Sequence, residues 1–224
     1  MDRTFRAIGL DMDGTLLDTR VDYSKMSDLL FDEMVRMGVP ENVLDRSGGS
    51  KFNIESGTQY LIERGREKDL WDMQVRINKA ATAIEMENVH AARPFPGAIE
   101  VLNELREEGV PIGVLTRGSR EYATAALKTA GVWELINSLV CRDDHPEKEA
   151  KPSPMAMQHL AKSLGTECSH ILYLGDHRFD HDCAISSGAG FIAVLTGTYD
   201  EEDWRELGNG FPIIPSITEL RSQL

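Results

Sequence analysis

Cysteine is scarce in this chain: Cys141, Cys168 and Cys183 are the only three, and no two of them form a C-x-x-C pair. An odd number at such spacings argues against a disulfide framework and against a zinc ribbon. Buried or half-buried thiols in a reducing compartment are the expectation. Long apolar runs are also missing, and none approaches the roughly 20 residues that a membrane span requires. The chain reaches Asp11 before any signal-peptide core has formed, so a cytoplasmic protein without a secretory leader is expected. Positive charge is in deficit, with 24 Lys and Arg against 37 Asp and Glu and a net charge of −13. No basic stripe exists to displace counterions from a phosphate backbone, so nucleic acid is not an expected partner. Internal repeats and low-complexity tracts are absent as well. Hydrophobic residues at 41% and charged residues at 27% match ordinary globular usage and exclude disorder and collagen-like structure. At 224 residues, the length suits one large domain or a core carrying an insertion.

Short apolar runs closed by polar residues recur along the chain. Ala7–Leu10 ends in Asp11, Ile112–Leu115 in Thr116, Ile171–Leu174 in Gly175 and Asp176, and Phe191–Leu195 in Thr196. Such runs read as buried strands of a parallel sheet. Segments of helical period lie between them. Residues 97–108 place Ile99, Val101, Leu102 and Leu105 on one side, 119–130 carry Tyr122, Ala126 and Leu127, and 153–164 carry Met157, Leu160 and Leu164. Gly109, Gly131 and Gly165 follow at the positions where a helix C-terminus favours glycine. Strands alternating with helices predict an α/β fold with a parallel, Rossmann-like sheet. Ligands of such sheets sit beyond the carboxyl ends of the strands, where Asp11, Thr116 and Asp176 all fall.

Residues 19–93 interrupt the alternation. Met26, Leu29, Leu30, Met34 and Met37, then Tyr60, Leu61 and Ile62, then Trp71, Val75 and Ile77, follow a helical pattern, with a loop from Arg46 to Lys51 between the first two groups. The insertion leaves after the first strand and returns through Arg93–Gly97, stiffened by Pro94 and Pro96. The expected organisation is a catalytic core of residues 1–18 plus 94–224 with an α-helical cap, 19–93, that can close over a site. Met26, Met34 and Met37 suit the interior of that cap better than an interface, and both monomer and homodimer stay open.

Four segments carry chemistry. Asp11 and Asp13, one residue apart on extended backbone, point the same way, and their repulsion calls for a cation or a shared proton. Mg²⁺, a hard ion with oxygen ligands, fits beside a phosphate. Gly14 permits a sharp turn and the approach of backbone amides to an anion. The alternative is an Asp-Gly turn whose carboxylates cap a helix. Thr116, with Arg117 and Gly118 before a helix starting near Ser119, can hold phosphate oxygens or act as an N-cap. Lys151, ahead of Pro152 and Pro154, is either an anion clamp or a solvated lysine. Gly175–Asp180 places two carboxylates four residues apart after a buried strand.

In order and spacing these segments resemble the haloacid dehalogenase superfamily: D-x-D-G-T, a hydrophobic run ending in Thr, a Lys before Pro, and G-D-x-x-x-D. The resemblance spans the whole chain and is greatest to members with a C1-type helical cap, the phosphoglycolate phosphatase-like and β-phosphoglucomutase-like subgroups. It implies that Asp11 is a nucleophile forming an aspartyl-phosphate and that Asp13 is the general acid and base, with its backbone carbonyl on the metal. It implies a phosphate clamp from Thr116 and Lys151, with Gly14 and Arg117 beside them, and metal binding by Asp11, Asp13, Asp176 and Asp180. Arg46, Gly48, Gly49 and Lys51 of the cap are candidates for leaving-group specificity. A carboxylate at Asp13 favours phosphate over halide. The implied activity is Mg²⁺-dependent hydrolysis of a small phosphorylated metabolite, with 2-phosphoglycolate the first candidate. The alternatives are a sugar-phosphate mutase and a non-catalytic binding protein of the same fold. Arg117 departs from the Asn common among relatives. It is expected either to contact substrate or to pair with the Asp143–Asp144 loop. His177 stands where relatives carry a small residue, either near the metal site or solvated.

Overall fold

The computed structural model describes residues 5–208 and 210–224; residues 1–4 of the expected core lie outside them. In chain order the elements are β1 (Ala7–Leu10), β2 (Leu17–Asp18), α1 (Tyr23–Arg36), α2 (Gly49–Glu63), α3 (Leu70–Glu87), β3 (Arg93–Pro94), α4 (Ala98–Glu107), β4 (Ile112–Leu115), α5 (Arg120–Thr129), β5 (Ser138–Val140), α6 (Pro154–Ser163), β6 (Ile171–Gly175), α7 (Arg178–Ser187), β7 (Gly190–Val194), α8 (Glu201–Leu207) and β8 (Ile213–Ile214). They fall into two compact units, one running through Thr19 and resuming over His90–Leu224, the other Arg20–Val89. No described helix is long and apolar enough to cross a membrane.

The first unit is built on a parallel six-stranded sheet of order β5-β4-β1-β6-β7-β8. Every residue of β1, β4, β6 and β7 is buried, as continuous apolar runs predict for strands covered on both faces. From β1 the sheet grows outward to β4 and β5 on one side and to β6, β7 and β8 on the other. The strand order therefore reverses beside β1, and such a reversal opens a crevice at the carboxyl ends of the strands. Asp11 continues β1 directly into it.

Two strand glycines let α6 lie close to the sheet. A Cβ on Gly9 would sit 2.8 Å from the Tyr173 ring and 3.1 Å from Leu160, and one on Gly113 would sit 2.6 Å from Leu160. Leu160 is fully buried in a cluster with Ala156, Met157, Tyr173 and Cys183. The helices expected over 97–108, 119–130 and 153–164 all form, each followed by a glycine at φ between +67° and +73°. Cys141 and Cys183 are buried and Cys168 is half-buried, all three unpaired. Burial pushes the Cys183 thiol up to about 12, which leaves it protonated and unreactive.

Arg20–Val89 contains α1, α2 and α3 around its own core of Met26, Leu30, Phe31, Met34, Leu61, Met73 and Ile77. The helical content matches the sequence pattern, but the facing of α3 does not. Trp71 and Val75 are 79% and 47% exposed, and the helix buries Met73, Ile77, Ala81 and Ile84 instead. Trp71 and Val75 each precede a buried residue by two positions, about 200° around the helix. Ile62 is likewise exposed beside buried Leu61, and Ile99 of α4 is turned outward. The loop expected from Arg46 to Lys51 is shorter, because α2 already starts at Gly49. Strands β2, β3, β5 and β8 had no apolar run long enough to announce them. Of these, β2 and β3 pair antiparallel, Leu17 with Pro94 and Asp18 with Arg93.

Leu160 fills the space that two strand glycines leave. Replacing Leu160 by Ala is expected to cost about 2–5 kcal/mol, the range for emptying a leucine site in a core. Urea unfolding with an unchanged m-value would register that loss as stability alone.

Candidate active site

The carboxyl ends of β1, β4 and β6, with the starts of α6 and α7, bring five polar side chains into one neighbourhood of the first unit. Lys151 is only 3% exposed. Its Nζ donates to Asp11 Oδ1 at 2.5 Å, to Asp180 Oδ1 at 2.6 Å and to the Tyr173 hydroxyl at 3.0 Å. Three donors meet three acceptors, which satisfies the ammonium completely. The solvated-lysine reading of the sequence is thereby overturned. Tyr173 donates in turn to the Leu115 carbonyl at 2.9 Å, tying the lysine to the end of β4. Burial works against the Lys151 charge, but Asp11 and Asp180 outweigh it and hold the ammonium above its ordinary range.

Asp176 follows β6 and is gripped from two sides. Its Oδ1 accepts from the Thr15 hydroxyl at 3.0 Å and its Oδ2 from the Thr198 amide at 2.8 Å. Glycines surround the two acidic residues. A Cβ on Gly14 would meet Asp176 Oδ2 at 2.7 Å, one on Gly197 would meet the same atom at 2.0 Å, and one on Gly175 would meet Asp180 Cβ at 2.2 Å. Gly14 also has φ +81°, a conformation that favours glycine. The amide expected to face an anion does not: Gly14 N–H donates to the Leu17 carbonyl at 2.9 Å, so Gly14 serves the turn and makes room for Asp176. Nor do the Asp11 and Asp13 carboxylates cap a helix, since the chain runs on into β2.

Asp11, Asp176 and Asp180 present carboxylate oxygens within 4.8 Å of one another. Burial, and then the charge of Asp180, raises the Asp11 carboxyl well above its usual range, although Lys151 pulls the other way. Burial followed by Asp180 also raises Asp176. Three carboxylates against one ammonium leave two negative charges in excess, the charge of one divalent cation. An all-oxygen donor set of this kind suits a hard ion such as Mg²⁺ or Ca²⁺ and not a soft one.

Asp13 is half-buried, and its Oδ1 accepts two hydroxyls, Thr19 at 2.6 Å and Tyr122 at 2.5 Å. Thr116 is buried at the end of β4, with its Oγ1 accepting from the Gly118 amide at 2.9 Å. The helix cap is Ser119 and not Thr116, its hydroxyl accepting from the Tyr122 amide. Arg117 does not pair with Asp143 or Asp144. It donates to the Lys151 carbonyl at 2.5 Å and to Glu147 at 2.7 Å, bracing the segment that carries the lysine. Asp144 is instead held by Arg120 through two hydrogen bonds. His177 is half-buried beside the acidic cluster, its backbone amide donating to Asp180 Oδ2 at 3.1 Å. Its Nδ1 accepts from the Phe179 amide as the N-cap of α7, and burial lowers its proton affinity, in keeping with an acceptor nitrogen.

The four cap candidates lie in the other unit. Arg46 pairs with Asp32 at 3.0 Å and Asp28 at 3.5 Å and lies over the Phe31 ring. Lys51 pairs with Glu55 at 3.1 Å. Gly48 and Gly49 form the entry to α2. Elsewhere, His145, Glu149 and His159 also bring donor atoms within 4.8 Å. The two imidazoles stack face to face at 3.5 Å, so their lone pairs run side by side without converging, and His159 is hydrogen-bonded to Glu149. Sequence reasoning missed Thr15, Thr19, Tyr173 and Thr198 as partners of the acidic groups and read Tyr122 as helix packing alone.

A parallel sheet with acidic groups at the reversal of strand order, a buried lysine among them and a helical insertion after the first strand define a hydrolase fold. Residues 8–194 match the family model for haloacid dehalogenase-like hydrolases, and the chain belongs to that family. It is 26% identical to a phosphoglycolate phosphatase of Neisseria meningitidis over 200 residues, which cover 87% of this chain and 82% of the relative. It is 29% identical to a validoxylamine A 7'-phosphate phosphatase of Streptomyces hygroscopicus over 213 residues, 94% and 93% of the two chains. Among solved structures, a haloacid dehalogenase-like hydrolase of Bacteroides fragilis superposes with a TM-score of 0.69 at 20% identity, over 97% of this chain and all of that one; this likeness is one of fold.

A carboxyl whose folded-state pKa is raised binds its proton more tightly folded than unfolded, so its contribution to stability falls as pH rises from about 4 through the raised value. Asp176→Asn removes that liability and can keep both hydrogen bonds, since its amide can donate to Thr15 and its carbonyl accept from Thr198. In chelator-treated samples the variant is expected to melt about 2–4 °C above wild type near pH 8, equivalent to about 1 kcal/mol for a chain of this size. The gap should close toward pH 4. Thermal unfolding at several pH values measures it.

Proposed function

We propose that this chain is a Mg²⁺-dependent phosphatase of small phosphate monoesters that works through a phosphorylated Asp11, with 2-phosphoglycolate the first substrate to test. The observation that carries this reading is the buried Lys151 joined to both Asp11 and Asp180 beside a carboxylate cluster in charge excess. Phosphoryl transfer asks a protein mainly for in-line positioning and for neutralisation of charge on the transferring group. The names of the phosphatase relatives support the same reaction, and that of the Neisseria relative supports the substrate.

In this reading Asp11 attacks phosphorus as the bond to the leaving oxygen breaks. Asp13 delivers its proton to that oxygen, so an alcohol departs and Asp11 carries the phosphoryl group. Asp13, now ionised, takes a proton from water, which attacks phosphorus, and inorganic phosphate and free Asp11 result. Covalent catalysis of this type divides one difficult displacement into two easier ones. Lys151 and the Thr116 hydroxyl stabilise the equatorial oxygens, while Asp180 and Tyr173 hold Lys151 in place. Asp11, Asp176, Asp180 and the backbone carbonyl of Asp13 would hold Mg²⁺, which when bound supplies the positive charge that the cluster lacks. Arg20–Val89 is the helical cap in this assignment, with Arg46, Gly48, Gly49 and Lys51 as its specificity residues. Both cations are already paired, Arg46 with Asp28 and Asp32 and Lys51 with Glu55.

Phosphate release from a panel of small phosphate esters tests the proposal, with wild type expected to depend on Mg²⁺ and Asp11→Asn to fall by at least about 10³-fold, as expected for loss of a nucleophile. Turnover of a sugar 1-phosphate without free phosphate would point to the mutase alternative. Absence of release from every ester with Mg²⁺ present would sink the phosphatase reading. Lys51→Ala is expected to raise KM for the best ester while leaving kcat within about 2-fold, the pattern of a residue that binds ground and transition states equally.

A further inference from the structure

The geometry points to Tyr122 as a positioning residue that fixes the Asp13 carboxyl for proton transfer, a role resting on the phosphatase reading above. Tyr122 lies in the first turn of α5 and is 1% exposed. Its ring packs in the core, where phenylalanine would serve as well. Its hydroxyl nevertheless crosses to a residue 109 positions earlier in the chain and donates to Asp13 Oδ1 at 2.5 Å. The Thr19 hydroxyl donates to the same oxygen at 2.6 Å. Two hydroxyls on one carboxylate oxygen fix the rotation of the carboxyl about its Cβ–Cγ bond. With Oδ1 held from two sides, Tyr122 and Thr19 decide which way the rest of the carboxyl points.

The anchoring of Tyr122 makes it suitable for the task. Its amide donates to the Ser119 hydroxyl, and a Cβ on Gly118 would come within 2.8 Å of its ring. The same short segment carries Thr116, whose hydroxyl accepts from Gly118. One turn of chain thus links the phosphate-facing Thr116 to the proton-carrying Asp13. General acid catalysis depends on such placement, since the donor must stay within hydrogen-bond reach of the departing oxygen.

Tyr122→Phe removes the hydroxyl and keeps the ring. Its effect should depend on how much the leaving group needs a proton, which a purely structural role would not produce. Phenyl phosphate needs protonation as it leaves, whereas p-nitrophenyl phosphate needs it far less. With Mg²⁺, kcat/KM of the variant is expected to fall about 10- to 100-fold for phenyl phosphate and less than about 3-fold for p-nitrophenyl phosphate. Equal losses on both esters, or no loss on either, would overturn the role. A wild type that releases phosphate from no ester at all would count against the phosphatase reading alone. Crystal structures of wild type and Tyr122→Phe then decide the positioning separately. A rotated or doubly occupied Asp13 side chain in the variant is expected, and an Asp13 superposable on wild type would overturn the assignment.

Discussion

One ammonium group, almost wholly removed from water, organises the acidic half of this molecule. Lys151 is the positive charge in direct contact with Asp11 and Asp180, and it has no water to fall back on. A buried ion pair of this kind adds little to net stability, yet losing one partner leaves the other uncompensated at a cost of about 3–5 kcal/mol. Its position is therefore tightly determined. Tyr173 reaches it from β6, the Leu115 carbonyl holds Tyr173 from β4, and Arg117 and Glu147 brace the backbone on which the lysine stands. The sheet core and the charged cluster share these contacts, so packing and chemistry are not separable at this end of the strands.

The same economy of space governs the carboxylates. Gly14, Gly175 and Gly197 come from three separate stretches of chain, and each stands where any side chain would collide with Asp176 or Asp180. Thr15 and Thr198 each donate to one oxygen of Asp176. The loop after β7 is also tied to the first turn by the Thr196 hydroxyl on the Gly14 carbonyl, at 2.6 Å. A site with excess negative charge needs this bracing, because its members repel one another until a cation arrives.

Much of this was legible in the sequence. Asp11 and Asp176 announce themselves at the ends of apolar runs and Asp13 by its spacing from Asp11, whereas Lys151 and Asp180 are legible only through the ordered set of motifs that resembles the family. The four long strands follow from their apolar runs, and α4, α5 and α6 from their helical period. What stayed hidden depends on contacts between distant positions. Tyr122 and Tyr173 look like core aromatics, since pattern reports where a ring goes and not what its hydroxyl touches. Thr198 belongs to no motif, and its amide matters only because β7 ends beside β6. Of the two roles open to Arg117, pairing with the Asp143–Asp144 loop fails, since Arg120 occupies Asp144 with two hydrogen bonds. The exposed face of α3 was misread because Trp71 and Val75 are as apolar as the residues actually buried.

The short antiparallel pairing of β2 with β3 places the departure and return of the chain side by side, Asp18 opposite Arg93. Everything between Arg20 and Val89 therefore hangs from the first unit as a closed excursion, and its length makes almost no demand on the sheet. Closing a longer loop adds only about 0.6 kcal/mol for each doubling. That arrangement makes the insertion a transplantable module. In the history of such a protein, the segment between these two strands can lengthen, shorten or be exchanged for another fold while the residues beyond β1, β4 and β6 keep their places. Length and sequence on either side of this pairing are thereby free to change independently.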